Sequence, residues 1–376
     1  MSAVITAIGT ALPERRVTHD EALRLARAMN GANGVDAARL ERIHMRTGVR
    51  SRHVVISDEA PTPSRDDPAS SDDGSLMLDT AAERGPTTGE RMIVYEREAL
   101  RLAVQAAERA LRGAGREAAS VTHLITASCT GFAAPGVDAG LLQRLCLRDD
   151  TERTNVGFMG CHGAINALRV ARCIANAEPG ARVLVVCVEL CSIHMAHIPD
   201  AQRVVANALF ADGAGAVVVE GRRGDVAEPN GWSIDAGVSR LVPGTAHAMS
   251  WRIGDHGFEM TLSPDVPRLI HSALPGVVGE WLGRHGLRVE DVDAWAVHPG
   301  GPRVLDAAAR SLGLAPDSLA ESHAVLAELG NMSSPTVLFV LDRIARQPGV
   351  ETCVMLAFGP GLTIEGQLLR RAPSPR

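Results

Sequence analysis

The sequence predicts an α/β chain made of one supersecondary unit used twice. Length and composition come first: 376 residues, 45% of them hydrophobic and 22% charged, can bury a large core and suit two domains or one large duplicated unit. A repeat is the second observation. A helix from Cys161 to Ala177, the turn Glu178-Pro179-Gly180 and an apolar strand Val183–Val188 recur as a helix from about Asn331 to Arg346, the turn Gln347-Pro348-Gly349 and a strand Cys353–Phe358. Third, the strand ending at Ser128-Cys129-Thr130-Gly131 overlies Ala294-Trp295-Ala296-Val297-His298-Pro299-Gly300-Gly301 in the same register. The halves are expected at 1–228 and 229–376, related by a pseudo-twofold axis.

In chain order, Met1–Thr10 alternates as a strand does and lacks the basic region and cleavage site of a signal peptide. The strand ends at Pro13, and a helix follows over Asp20–Met29. A second helix spans Asp36–Arg46 and sets Arg39, Arg42 and Arg46 at i, i+3, i+7 on one face. Such a row is either a solvated surface or a clamp for phosphates, whose geometry suits the planar guanidinium fork. From about Ser57 to Glu90 the composition turns to Ser, Pro, Asp and Gly, which reads as a long surface excursion. A helix from Arg91 to Arg112 and a buried strand Thr122–Cys129 resume regular structure.

No apolar run approaches the roughly 20 residues a membrane span requires. A net charge of −6 without a basic run excludes non-specific nucleic-acid binding as the leading role. The seven cysteines (129, 146, 161, 173, 187, 191 and 353) are odd in number and show no CxxC pairing, which points to a reduced, cytoplasmic chain without structural zinc.

One cysteine stands apart. In Gly157-Phe158-Met159-Gly160-Cys161-His162-Gly163 a Gly-rich turn gives way to a helix, so Cys161 faces unpaired N–H groups and the positive end of the macrodipole. Those groups favour thiolate and make a nucleophile, although an isolated cysteine is more often a small buried hydrophobe. The repeat register lays Cys161 over Asn331, and a pseudo-twofold axis brings His298 and Asn331 towards Cys161. In isolation His298 reads as a strand-end histidine and Asn331 as a helix cap.

Together, Gly160-Cys161, Val297-His298-Pro299-Gly300-Gly301-Pro302, Gly330-Asn331-Met332-Ser333-Ser334-Pro335-Thr336 and Phe358-Gly359-Pro360-Gly361-Leu362-Thr363 resemble the type III polyketide synthases, the chalcone-synthase-like branch of the thiolase fold. The resemblance spans nearly the whole chain. It implies a duplicated thiolase fold with five layers, αβαβα, a homodimer, and a Cys-His-Asn centre at Cys161, His298 and Asn331. It also implies a gatekeeper at Phe210, CoA-binding residues at Arg39, Arg42 and Arg46, and a cyclisation-pocket loop at Gly359, Pro360 and Gly361. Malonyl-CoA and an acyl-CoA starter are the implied substrates, with no metal or other cofactor.

The sequence also departs from the plant pattern. A Cys-Phe-Ala-Gly-Gly segment is replaced by Cys161-His162-Gly163-Ala164-Ile165, the dimer-spanning methionine by Ala134, a second gatekeeper phenylalanine by Met260 and a pocket glycine by Trp251. Further pocket positions read Cys129, Thr130, Cys191, His194 and Met195. These changes resemble bacterial members and disfavour a coumaroyl starter. The expected reaction is iterative extension of a malonyl or aliphatic acyl starter, closing to a pyrone, resorcinol or polyhydroxylated aromatic. Two alternatives are an initiating ketoacyl synthase or hydroxymethylglutaryl-CoA synthase, and a non-catalytic protein that binds CoA esters. Against the first stands His298-Pro299-Gly300-Gly301 in place of a His-Gln-Ala-Asn segment, and against the second the intact Cys-His-Asn set.

Overall fold

A computed structural model describes residues 2–29, 35–56, 84–197, 201–222 and 231–371. Among these residues thirteen strands, β1–β13, and ten α-helices, α1–α10, follow one another in chain order. Most of the excursion expected at 57–90, residues 57–83, lies outside the described residues. Its end does not: Thr87 accepts the Glu90 N–H while the Glu90 carboxylate takes the Thr87 N–H at 2.7 Å. This reciprocal cap starts α3 at Thr88, three residues before the apolar periodicity, and α3 runs to Gly113.

The duplication is real at the level of strand pairing. In the N-terminal half the order is β5 (Glu152–Gly157), β4 (His123–Ser128), β6 (Arg182–Leu190), β7 (Asp212–Arg222), β1 (Ser2–Ala11). In the C-terminal half it is β11 (Ala294–Val297), β12 (Thr352–Gly359), β13 (Thr363–Arg371), β8 (Trp232–Leu241). Each half contains a parallel pair, β4 with β6 or β11 with β12, followed by two antiparallel steps. Strand β5 is the one addition. The halves join where Val4 and Ile5 of β1 pair with Ser233 and Trp232 of β8, giving one nine-stranded sheet.

Layering follows from which helix faces are apolar. Helices α5 (Gly163–Ala177) and α10 (Thr336–Ala345) are apolar nearly all round, through residues such as Ile165 and Leu168 or Val337, Leu338 and Leu341. A helix of that kind must be covered on both sides, and these two share one core with strands from both halves. Amphipathic helices take the outsides. Helix α3 packs Ala99, Leu102, Ala106 and Ala110 on the N-terminal sheet, while α7 (Val266–Gly283) and α8 (Pro302–Leu312) pack Ile270, Leu274, Trp281 and Leu305 on the other. The result is helix, N-terminal half of the sheet, helix, C-terminal half of the sheet, helix, the five layers expected.

One boundary differs at the site itself. Helix α10 begins at Thr336, so Asn331 lies in the turn before it. Pro335 occupies the cap, and Ser333 has a φ of 58°, outside the helical range.

Candidate active site

Cys161 sits in a one-turn 3₁₀ segment, Gly160–His162, that feeds α5. Gly160 has a φ of 70°, and a Cβ there would come within 2.7 Å of Pro360, so the Gly359-Pro360-Gly361 loop closes directly over the nucleophile's turn. Asn331 reaches the same corner from the other half. It is stitched to the segment that carries Phe210: the Asn331 N–H donates to Leu209 O at 2.9 Å and its carbonyl accepts the Ala211 N–H at 2.9 Å. Gly330, with a φ of 75°, permits this approach, because a Cβ there would lie 2.9 Å from Ala211 Cβ. Asn331 Oδ1 accepts the Ser333 N–H at 2.8 Å, which leaves the amide –NH₂ as its free, donating end.

The ionisation of Cys161 is the opposite of the sequence expectation. Burial pushes the thiol up to about 12, Ser333 and Asn331 side chains pull it down, and the buried Glu189 charge opposes them. Burial therefore works against the thiolate here, and a proton acceptor would assist its formation.

His298 follows the last residue of β11 and is 1% exposed. Burial drives its pKa down to about 3, with His162 adding to the effect. Neither ring nitrogen has a hydrogen-bond partner among the described residues. Cys161 and Asn331 therefore meet as the register predicted, whereas His298 makes no hydrogen bond to Cys161.

A cavity of about 250 Å³ opens above Cys161 and is lined by Cys129, Thr130, Cys191, His194, Met195, Phe210, Trp251, Met260, Ser333 and Pro360, among others. The gatekeeper and wall positions named from the sequence all border it, whereas of the cyclisation-pocket loop Pro360 does and Gly359 and Gly361 do not. Its wall is fixed by directed contacts. The Trp251 indole N–H donates to Cys129 O at 2.7 Å, and His194 stacks on Phe258 with centroids 4.2 Å apart. His194 Nδ1 accepts the Phe258 N–H at 3.0 Å, so the proton sits on Nε2 and donates to Thr130 O at 2.6 Å. Its pKa falls to about 3 through burial, and it is a neutral wall residue.

Sequence reasoning missed Glu189, Ser333, Ser334 and His162. Glu189 is fully buried at the end of β6 and accepts from the Cys129 N–H at 2.9 Å, Thr130 Oγ1 at 2.8 Å and Ser334 Oγ at 2.6 Å. Burial raises its pKa and these donors lower it. A glutamate inside the apolar run Val183–Leu190 was its only signal.

A second cavity, about 670 Å³, is lined by Arg39, Arg42 and Arg46 of α2 (Ala37–Arg46), by Leu209, and by Gly300, Gly301, Pro302 and Arg303. The dipeptide Leu209-Phe210 lines one cavity with each residue, and the loop after His298 lines the second. The three arginines are exposed. Among the described residues no group of three or more His, Cys, Asp or Glu side chains is arranged to hold a metal ion, and no helix is long and apolar enough to cross a membrane.

Comparison with known proteins agrees over the whole chain. Residues 1–222 match the model of the N-terminal domain of chalcone and stilbene synthases, and residues 233–373 that of the C-terminal domain. An α-pyrone synthesis polyketide synthase-like protein, Pks18, of Mycobacterium tuberculosis is 33% identical over 97% of this chain and 90% of its own. A 1,3,6,8-tetrahydroxynaphthalene synthase of Streptomyces peucetius is 34% identical over 97% of this chain and 92% of its own. The crystal structure of PKS-I from the brown alga Ectocarpus siliculosus superposes with a TM-score of 0.91 at 33% identity, covering 98% of each chain.

Proposed function

The chain belongs to the chalcone and stilbene synthase family and is a type III polyketide synthase, an acyltransferase; from that premise we propose how its own residues divide the reaction. Cys161 is the nucleophile. Its S–H proton passes to His298, the sulfur attacks the starter's thioester carbonyl, and CoA leaves carrying a proton from His298. Malonyl-CoA then loses carbon dioxide. The enolate oxygen that forms takes hydrogen bonds from the His298 ring and the Asn331 –NH₂, a stabilisation worth about 3 kcal/mol per donor. The enolate carbon attacks the Cys161 thioester, the C–S bond breaks, and the thiolate is restored for the next cycle. This chemistry asks for no metal or redox cofactor.

The observation that carries the assignment is the corner where Asn331 and Ser333 act on Cys161 while His298, sealed from water, keeps both ring nitrogens unpartnered. Buried polar groups normally have partners; the neutral ring keeps one N–H to give to a substrate oxygen and one nitrogen to accept a proton. The groove beside Arg39, Arg42 and Arg46 is our assignment for the nucleotide of CoA, with Arg303 a further guanidinium at the same groove. Phe210 then stands as gatekeeper between groove and cavity.

Malonyl or aliphatic acyl-CoA is the proposed starter. The cavity is small beside typical ligand pockets of about 300–1,000 Å³, and Met195 and Met260 give it flexible walls. A pyrone, resorcinol or polyhydroxylated aromatic is the proposed product class, consistent with the names of the two bacterial relatives. A homodimer is supported by the open edge of β5 and by Phe132, Phe158 and Met159, which are 64%, 49% and 42% exposed. A cytoplasmic location is proposed on the reduced cysteines; all seven are free.

Mass spectrometry of products from purified protein given malonyl-CoA alone, then with a panel of acyl-CoAs, tests the reading. Aliphatic or malonyl-primed products are expected, and a preference for coumaroyl-CoA would refute the starter. Trp251→Gly should shift products towards larger starters or additional extensions, unless the vacated space collapses. An unchanged profile in that variant would remove Trp251 from the specificity-determining wall.

A further inference from the structure

Helix α3 carries a buried cation that the reaction does not use. Arg91 is its fourth residue and is 1% exposed, so a guanidinium sits inside the protein near the positive end of a helix. Burial works against its charge and brings its pKa down to about 10. A cation in that place costs stability unless its hydrogens are taken up. Backbone carbonyls of two separate segments take them: Nε donates to Pro86 O at 2.9 Å, and Nη1 donates to Ile193 O and, at 3.4 Å, to Met195 O. Nη2 is buried with no partner among the described residues.

What Arg91 holds is the wall of the cavity above Cys161. Ile193 and Met195 flank His194, and both His194 and Met195 line that cavity. The same guanidinium supports the adjoining wall, a hairpin of β9 (Met249–Gly254) and β10 (Gly257–Leu262) that brings Trp251 and Met260 to the cavity. Among the described residues these strands pair only with each other, and an isolated two-stranded hairpin is marginal on its own. Contacts at its turn therefore matter to its placement. A Cβ on Gly257 would lie 3.1 Å from Arg91 Cζ, so the turn rests against the guanidinium. Thr88, on the preceding turn of α3, fastens the same segment: its N–H donates to Asp255 O at 2.8 Å, and its hydroxyl accepts the Gly257 N–H at 2.9 Å and donates to Gly254 O. The ion pair of the hairpin with Arg203, at 3.3 Å, uses Glu259, which is 53% exposed, and contributes little. The two walls join where His194 Nδ1 accepts the Phe258 N–H.

We propose that Arg91 is the positioning residue that sets the depth of the acyl chamber, by clamping the Ile193–Met195 segment and the β9–β10 hairpin to the start of α3. This rests on the reading of the cavity above Cys161 as the chamber for the starter and the growing chain. Two properties are separated by the geometry. Arg91 does not line the cavity and bonds to none of Cys161, His298 and Asn331, so the bond-making steps do not pass through it. Met195, Trp251 and Met260 do line the cavity, and they stand where α3 holds their backbones. Without the clamp both walls are free to move outward, which lengthens the space open to an aliphatic chain.

The test is a competition between hexanoyl-CoA and dodecanoyl-CoA as starters, read by mass spectrometry of the products, in the full-length wild type, Arg91→Met, Thr88→Val and Trp251→Gly. Malonyl-CoA decarboxylation, measured alongside, is the internal reference. Arg91→Met should raise kcat/KM for the longer starter relative to the shorter about tenfold, the scale on which apolar pocket contacts discriminate chain length. Its kcat and KM for decarboxylation should stay within about twofold of wild type. Thr88→Val loosens the hairpin and leaves the buried cation in place, so it should shift the ratio the same way by less, and it decides the matter if Arg91→Met does not fold. Decarboxylation that falls in step with synthesis, at an unchanged starter ratio, would make Arg91 structural and overturn the proposal. A wild-type ratio in Arg91→Met, or in Thr88→Val where it stands in, overturns this proposal alone when Trp251→Gly is shifted. A wild-type ratio in all three variants overturns both this proposal and the reading of the cavity wall beneath it.

Discussion

His194 and His298 are both buried, one closing the 3₁₀ turn after β6 and the other following β11 directly, and both have their basicity driven down to about 3. Their surroundings are opposite. His194 spends both ring nitrogens on the protein, accepting from Phe258 N–H and donating to Thr130 O, with its face against Phe258 and an edge contact to Trp251 at 5.5 Å. His298 spends neither. A depressed proton affinity therefore does not separate His298, the histidine we assign to the reaction, from His194. What marks it is hydrogen-bonding capacity left over after folding, since only that can be given to a substrate oxygen.

The sharpest test separates activity from stability at the two positions. His298→Ala or Asn331→Ala should slow malonyl-CoA decarboxylation by roughly 10²-fold or more, as expected for loss of an oxyanion donor, and Cys161→Ala should abolish product. In urea unfolding, His298→Leu should leave stability unchanged or raised, because it removes two unsatisfied polar atoms from the interior. His194→Leu should do the reverse. It strands the Phe258 N–H and the Thr130 carbonyl, at about 1–3 kcal/mol for each buried group left unpaired. If His298→Leu proves the more destabilising of the two, the contrast drawn between the histidines is wrong.

This contrast also shows how far the sequence could be read. Cys161, His298 and Asn331 could be named as candidates because each lies in a short motif and because the helix-turn-strand repeat set the register between halves. Asn331 was placed at a helix start because the repeat lays it over Cys161, which opens a helix; the positive φ of Ser333 and the pairing of Asn331 with Leu209 and Ala211 hold it outside the helix instead. The ionisation of Cys161 was misread for a different reason. Local sequence supplies the helix terminus, but Cys161 is buried in the fold beside cavity residues such as Ser333, Pro360 and Trp251 that lie at least 90 positions away in the chain. Whether a histidine is satisfied depends likewise on distant backbone groups, and nothing in the segment around His194 announces Phe258.

Moving outward, the same logic predicts a smaller effect at the arginine groove. Arg39, Arg42 and Arg46 are exposed and lie apart from the reacting atoms, so binding them to CoA phosphates stabilises ground and transition states alike. Substitution by Ala should raise KM for CoA thioesters about tenfold, in line with about 1.5 kcal/mol for a hydrogen bond to a charged group, and leave kcat largely intact. Added salt should mimic it. Turnover of an N-acetylcysteamine thioester, which lacks the nucleotide, should be indifferent to the same changes. A fall in kcat on that truncated substrate would make the arginines structural, and His298 would no longer be distinguished from them by its effect on the chemical step.

The smallest expected effect is one in which the two histidines should behave alike. Both have folded-state pKa values near 3, against 6.5 for an ordinary histidine, and His44 falls to about 4 for the same reason, burial. A group whose pKa is lowered by folding binds fewer protons in the native than in the unfolded state between those limits. Its contribution is therefore complete above about pH 6.5 and is lost as the pH falls from there towards 3. Each histidine should steepen the acid-side loss of stability by on the order of 1 kcal/mol per pH unit. Replacing either His194 or His298 with Gln should flatten the stability profile between pH 6.5 and 5 by a similar slope, even though the two variants differ in absolute stability at pH 7. Proton linkage counts only the protons, whereas the hydrogen-bond inventory counts partners, so the profiles should be parallel and offset. Urea titrations at four or five pH values would show it, and profiles that cross would mean that the two rings do not share the same folded-state protonation.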